Sequence, residues 1–247
     1  MSEGFRSFDM GVFDKSYGDD QIQSRFFYLI LGLAVIYGLG LTVYISSITS
    51  NSEVAMSFIL GLVKGMSSGT VLQKILFFIL FFALFLGLPL IGATMSSSSD
   101  SALISFAGYH FIILPFGFLN SILFLVYESN SIYSIFLLTL VASIVMCLLG
   151  ALFPDFFSKI GGALGAALSA LIIASIINTI FFGNSTKAGF IDYIGAGIFC
   201  LYIGYDFWRA TEVRKTFDNA VDIAVQLYLD MLNLMLFLLK IMGKRKG

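Results

Sequence analysis

Polar and charged positions cut this chain into long apolar runs of helical length. The first, 26–48, carries no charge and at about 1.5 Å per residue is long enough to cross roughly 30 Å of hydrocarbon. The segment 54–63 is apolar but too short to cross, and Lys64 follows it, so it predicts an interfacial or re-entrant piece. Further spans are expected at 75–95 with a kink at Pro89, at 101–127 with His110 and Pro115, at 132–152, at 160–182 and at 190–208. Polar turns at 96–100, 128–130, 154–155 and 183–186 separate them. The seventh span starts at Ile223 within 219–243. The expected fold is an all-α polytopic membrane protein of seven transmembrane helices, and the continuous runs argue against the alternation of a membrane β-barrel.

The last span departs from a lipid-facing pattern. Asn219, Asp222, Gln226, Asp230 and Asn233 are spaced 3, 4, 4 and 3, which puts them on one helical face. A carboxylate at a helix centre costs about 2.5–3.5 kcal/mol on insertion scales, and each Leu, Ile, Phe or Val returns about 0.3–0.6. The run about offsets Asp230 and leaves little for Gln226 and Asn233. This helix is therefore expected to be surrounded by other helices, its polar stripe facing a cavity or a polar partner, with Asp230 a functional candidate.

Composition agrees. Hydrophobic residues make up 58% of the 247 and charged residues 12%, against about 25% in soluble domains. Mean hydropathy is +0.95. A net charge of −1 gives no basic surface, so no nucleic-acid partner is expected. Cys147 and Cys200 fall inside apolar spans and form no disulfide framework or zinc motif. Residues 1–25 read as a polar tail, with Glu3, Asp9, Asp14, Asp19 and Asp20 against Arg6, Lys15 and Arg25, and lack the basic start of a signal peptide. Residues 26–243 form the membrane domain and 244–247 a basic tail. Gly161, Gly165 and Ser169 make a small-residue face for close packing, and Asn178 deeper in that span is expected to bond across helices. Seven spans place the termini on opposite sides. Basic residues tie at seven a side, Lys64 and Lys74 on one and Arg214 and Lys215 on the other among them, so charge does not set the orientation.

Asp206 lies near the end of span six, 24 residues before Asp230. If the chain turns at 215–219, both aspartates stand about 18 Å down antiparallel helices, at one depth. Two close carboxylates in a low-dielectric site do not both ionise readily and titrate as a unit. Such a pair can share a proton in mild acid, and at higher pH repel itself or attract Ca²⁺, a hard cation that prefers carboxylate oxygens. The plain structural alternative for Asp206 is an ion pair with Arg209, three residues on. A lone intramembrane histidine such as His110 is more often a packed hydrogen-bonding residue than a proton site.

GYDFWRA at 204–210 and LYLDMLNLMLFLLKIMG at 227–243 resemble the end of the Bax inhibitor family. That family has YD at the end of span six and LYLDxxNLFLxLLRxxG in span seven. IIASIINTIF at 172–181 is similar as well, and the resemblance covers 26–243, the first two spans in hydropathy only. It implies seven helices with the last one central. It also implies a pH-sensitive calcium leak channel, not an enzyme, needing no cofactor, with the calcium ion as permeant species. Asp206 and Asp230 carry over as the proton-sensing pair and as transient calcium ligands. Bacterial relatives place the N-terminus in the cytoplasm, which implies a bacterial inner membrane here. Eukaryotic members are tied to suppression of cell death and some bacterial ones to a membrane protease. One departure stands out. Relatives can carry an arginine at the end of span two that latches onto the span-six aspartate, whereas here the stretch is Met95-Ser-Ser-Ser-Ser99, leaving Arg209 or Arg25 to substitute.

Two other readings compete. A non-transporting modulator of a membrane protease or cell-death regulator fits the same residues. An intramembrane aspartyl protease would use the acid pair, but it wants GxGD and a later PAL motif, where this chain has Leu227-Tyr-Leu-Asp230 and no proline after Pro154.

Overall fold

The computed structural model describes residues 21–67, 70–98, 101–182 and 189–246. The tail at 1–20, Ser99-Asp100 of the first polar turn and the turn at 183–186 lie outside them. The described residues form helices α1 (Ser24–Asn51), α2 (Glu53–Ser67), α3 (Val71–Phe82), α4 (Leu88–Ser98), α5 (Ala102–Asn120), α6 (Leu123–Val126), α7 (Ser129–Leu152), α8 (Pro154–Phe182), α9 (Phe190–Glu212) and α10 (Phe217–Met242), with a π turn at Ala83–Gly87. Among the described residues there is one isolated β-bridge and no strand. Seven helical stretches are long and apolar enough to cross a membrane, and the piece at 53–62 is shorter, as expected. The fold is that of an all-α polytopic membrane protein.

Several boundaries move from their expected places, each for a local reason. Span two starts at Val71 because Thr70 and Gln73 form a capping box, Gln73 N–H on Thr70 Oγ1 and Thr70 N–H on Gln73 Oε1. It runs to Ser98, so the serines expected as a turn are largely helical. Pro89 acts one turn early. It has no N–H to give, and the helix widens into the π turn just before it, where Leu88 N–H reaches back to Ala83 O. Span three breaks after Asn120, with the Ser121 hydroxyl on Phe118 O at 2.6 Å. Span five begins at Pro154, whose fixed φ and missing N–H suit the first helical position. Span six continues to Glu212, so Asp206 is inside the helix rather than at its end.

The chain divides into two units. The first holds α1 to α6 and residues 214–225. Here α4 packs on α5 through Gly92 and Gly108, where a Cβ on Gly92 would overlap Gly108 O. α1 packs on α5 through Ser46 Oγ on Gly117 O at 2.8 Å and Tyr109 OH on Ala34 O at 3.2 Å. His110 belongs to that contact. Its Nδ1 donates to Phe106 O at 2.8 Å, and its Nε2 lies 2.6 Å from Tyr37 OH.

The second unit holds α7, α8, α9 and the rest of α10. Its chain end is pinned. Lys244 O accepts from Glu128 N–H at 2.9 Å, Lys244 N–H donates to Ser131 Oγ at 2.9 Å, and Lys244 Nζ pairs with Glu128 Oε1 at 2.9 Å. Lys240 Nζ pairs with Asp192 Oδ1 at 3.2 Å, and Asp192 also caps α9 by accepting Gly189 N–H.

α10 is the most buried span, 61% of its apolar window against 39% or less elsewhere. No residue from 218 to 239 is exposed. That is the burial its polar stripe required, and a helix apolar around its other faces belongs inside a bundle.

Candidate functional site

The two aspartates singled out from the sequence fall in the same unit. Asp206 on α9 and Asp230 on α10 are 5% and 8% exposed and lie close enough to interact. A hydrogen bond between two carboxyls needs one proton, since an ionised carboxylate only accepts. Asp230 Oδ2 is fully buried and receives no hydrogen bond from a described N–H or hydroxyl.

Arg209 completes the group. Its Nη1 donates to Asp206 Oδ1 at 3.2 Å and to Gln226 Oε1 at 2.6 Å. The expected in-helix ion pair is therefore present, in addition to the acid pair rather than instead of it. Gln226 precedes Asp230 by one turn on the same face, so one guanidinium holds both helices. If one proton is shared by the acids beside the charged arginine, the group is neutral, and loss of that proton would leave one net negative charge in a buried place.

Glycines bring α9 to its neighbours at this level. A Cβ on Gly150 of α7 would overlap Gly204 O, and a Cβ on Gly204 would strike the Phe157 ring of α8. Gly161 meets the Tyr205 ring and hydroxyl. Asp206 thus follows directly on the closest helix contacts of its unit. The small-residue face of span five is used only at this first position. Gly165 has nothing near its Cβ site and Ser169 is exposed, its hydroxyl bonded to Gly165 O.

The rest of the polar stripe separates. Asn219 and Thr216 cap the start of α10, with Asn219 Nδ2 on Arg214 O at 2.9 Å and Asn219 N–H on Thr216 Oγ1 at 3.1 Å. Asn233 Nδ2 bonds Leu229 O of its own helix at 2.8 Å. Asp222 is bonded to Ser96 in the first unit. Asn178 is half-buried. The turn also moves. It falls at 213–216, so Arg214 follows Asp206 by eight residues while Thr216 precedes Asp230 by 14. The acids pair although the arms are unequal, so equal arms were not what brought them together. Ser96, Ser105 and Asp218, which the sequence reading did not select, form a second buried polar group. Its signal was an aspartate pair four residues apart at the start of an apolar run.

A polytopic α-helical membrane protein with a buried, arginine-supported carboxyl pair is the class that fold and site define. Residues 19–247 match the family model described as inhibitor of apoptosis-promoting Bax1, and the chain belongs to that family. No curated protein matches it.

Proposed function

We propose that this protein is a passive, proton-gated leak path for Ca²⁺ in a bacterial inner membrane, with its N-terminus in the cytoplasm and Asp206 and Asp230 as the switch. The observation that carries the reading is that Asp206 on α9 and Asp230 on α10 are both buried in one unit, with Arg209 donating to Asp206. Protonated, the pair ties α9 to α10 and offers a cation nothing. Deprotonated, it loses that bond, the carboxylates repel, and their oxygens attract a hard cation. Among the described residues no three His, Cys, Asp or Glu converge on a metal position. Two carboxylates and the Gln226 carbonyl fall short of the roughly six to eight oxygens Ca²⁺ takes, so the ion keeps water and moves on. The path needs no cofactor. Arg209 on Asp206 favours a switch over a protease, whose acids must hold a catalytic water. Interaction with a membrane protease or a cell-death regulator remains the family-based second reading, and it expects a purified protein without flux.

The test is Ca²⁺ entry into proteoliposomes across pH. Wild type is expected to conduct more as pH rises, and Asp206→Asn and Asp230→Asn to flatten that dependence. Unchanged flux and profile in both variants overturns the reading.

A further inference from the structure

α2 is apolar but does not cross the membrane. Its 15 residues rise about 22 Å, against roughly 30 Å of hydrocarbon. It starts one residue after α1 ends. That residue, Ser52, returns its N–H to Thr49 O at 3.1 Å and accepts Ala55 N–H on its Oγ at 3.3 Å, so it closes one helix and caps the next. Packing within the first unit then fixes which way α2 faces. Met56, Ile59 and Leu62 are buried, and a Cβ on Gly65 would overlap the Phe77 ring of α3.

The outward side carries two kinds of residue. Glu53, Ser57 and Lys64 are exposed and, at spacings of four and seven, form one polar strip along the helix. The strip is narrow. Val54 and Phe58 border it on one side and Leu60 on the other, and these are 82%, 55% and 43% exposed. Water around the whole face would wet all three apolar side chains, whereas hydrocarbon around it would strip water from Glu53 and Lys64. Only a boundary between the two media suits both. The neighbouring chain says which boundary. Tyr44 and Ile48 near the end of α1 and Val71 and Leu72 at the start of α3 are exposed as well, and both stretches belong to membrane-crossing spans. α2 therefore links two lipid-facing surfaces of one unit. Glu53 in its first turn and Lys64 in its last offset each other, so apolar contact rather than net charge selects the partner.

We infer that α2 is an interfacial helix whose partner is the lipid bilayer. It lies along the membrane boundary on the side where α1 leaves and α3 enters. Val54, Phe58 and Leu60 sit between headgroups and acyl chains, and Ser57 and Lys64 turn to water. The inference concerns the first unit alone and needs neither the acid pair nor Ca²⁺ flux.

The test is the depth of spin labels on the full-length protein in nanodiscs of phosphatidylcholine and phosphatidylglycerol. Depth is read from collisions with oxygen, which concentrates in hydrocarbon, and with a nickel chelate, which stays in water. Single cysteines are introduced as Val54→Cys, Ser57→Cys, Phe58→Cys and Leu33→Cys in a Cys147→Ala/Cys200→Ala background. Leu33, exposed well inside α1, marks the hydrocarbon. Labels at 54 and 58 are expected about 5–10 Å below the phosphates, and the label at 57 about tenfold more open to the nickel chelate than either. The label at 33 should be the deepest. Three outcomes overturn the inference. Labels at 54 and 58 as open to nickel as the one at 57 would put α2 in water. A label at 57 as deep as the one at 33 would make it re-entrant. Labels at 54 and 58 closed to both reagents would mean that protein, such as a second copy of the chain, covers this face. Should the cysteine-free background not fold, the wild-type protein in the same nanodiscs decides. Phe58 is expected to resist hydroxyl-radical oxidation despite its exposure, and ready oxidation there overturns the inference.

Discussion

α10 carries carboxylates in both units, and their surroundings are built differently. In the first unit Asp218 and Asp222 receive hydroxyls from Ser96 and Ser105, donors without charge. In the second, Asp230 meets another acid, and a guanidinium stands beside them. Both groups sit close to a glycine contact where two backbones touch, Gly92 on Gly108 and Gly150 on Gly204. The same packing device thus frames two kinds of chemistry. Where hydroxyls donate to each acid, a carboxylate is an anchor. Where the partner is a second carboxylate, one proton decides the charge of the whole group, and the contact becomes a candidate switch.

The comparison is broken most directly at the acids themselves. Asp206→Asn removes the carboxylate to which Arg209 donates, and removing one partner of a buried pair costs about 3–5 kcal/mol. Asp230→Asn keeps an amide able to bond the Asp206 carboxylate and leaves the ion pair whole, so it is expected to cost clearly less. Both variants should nonetheless flatten the flux profile, which separates switching from stability. Thermal unfolding in detergent, measured beside flux, shows the split. Equal losses of stability would mean that Arg209 does not lean on Asp206.

Arg209 sharpens the contrast between charged and uncharged donors. In Arg209→Gln the acids lose their cation, and proton release would leave two negative charges instead of one. The flux midpoint is expected to rise by about one to three pH units, the range an opposite charge at this distance supplies. Arg209→Lys keeps the charge but reaches Asp206 and Gln226 less well, so its shift should be smaller. Identical midpoints in both variants and wild type would make Arg209 a packing residue.

The glycine contacts come next. Gly150→Ala and Gly92→Ala each force two backbones apart and are expected to cost about 1–3 kcal/mol. Gly150→Ala should displace the flux midpoint more, because Gly204 is two residues from Asp206, whereas Gly92 belongs to the other unit. Similar midpoints with similar losses of stability would show that the glycines set stability alone.

Much of this was legible in the sequence, for identifiable reasons. Seven spans follow from apolar length, which needs no tertiary knowledge. The burial of Asp206 and Asp230 was legible because a carboxylate inside an apolar helix demands a polar partner away from lipid. The stripe from Asn219 to Asn233 predicted burial correctly but not its division, since helical periodicity gives a face and not what packs against it. Ser96 and Ser105 were invisible for the same reason: a serine near a helix end reads as turn chemistry until the acid opposite is known. The helix starts at Val71 and Pro154 are set by local signals, Thr70-Val-Leu-Gln73 and Pro154, which apolar length alone does not register.

The smallest effect is expected at an ion pair of the ordinary exposed kind. Lys244 and Glu128 are 2.9 Å apart, but their side chains are 75% and 39% exposed. Water and salt screen such a pair, so Lys244→Ala should cost about 0–1 kcal/mol and less still at high ionic strength. The chain end stays attached in that variant, because Glu128 N–H on Lys244 O and Lys244 N–H on Ser131 Oγ use the backbone of residue 244 and survive the substitution. Flux at every pH should match wild type. A unit-sized shift in its midpoint would mean that exposed charge at the chain end, rather than the buried proton of Asp206 and Asp230, carries the pH response, and the contrast between anchor and switch along α10 would have to be redrawn from that end.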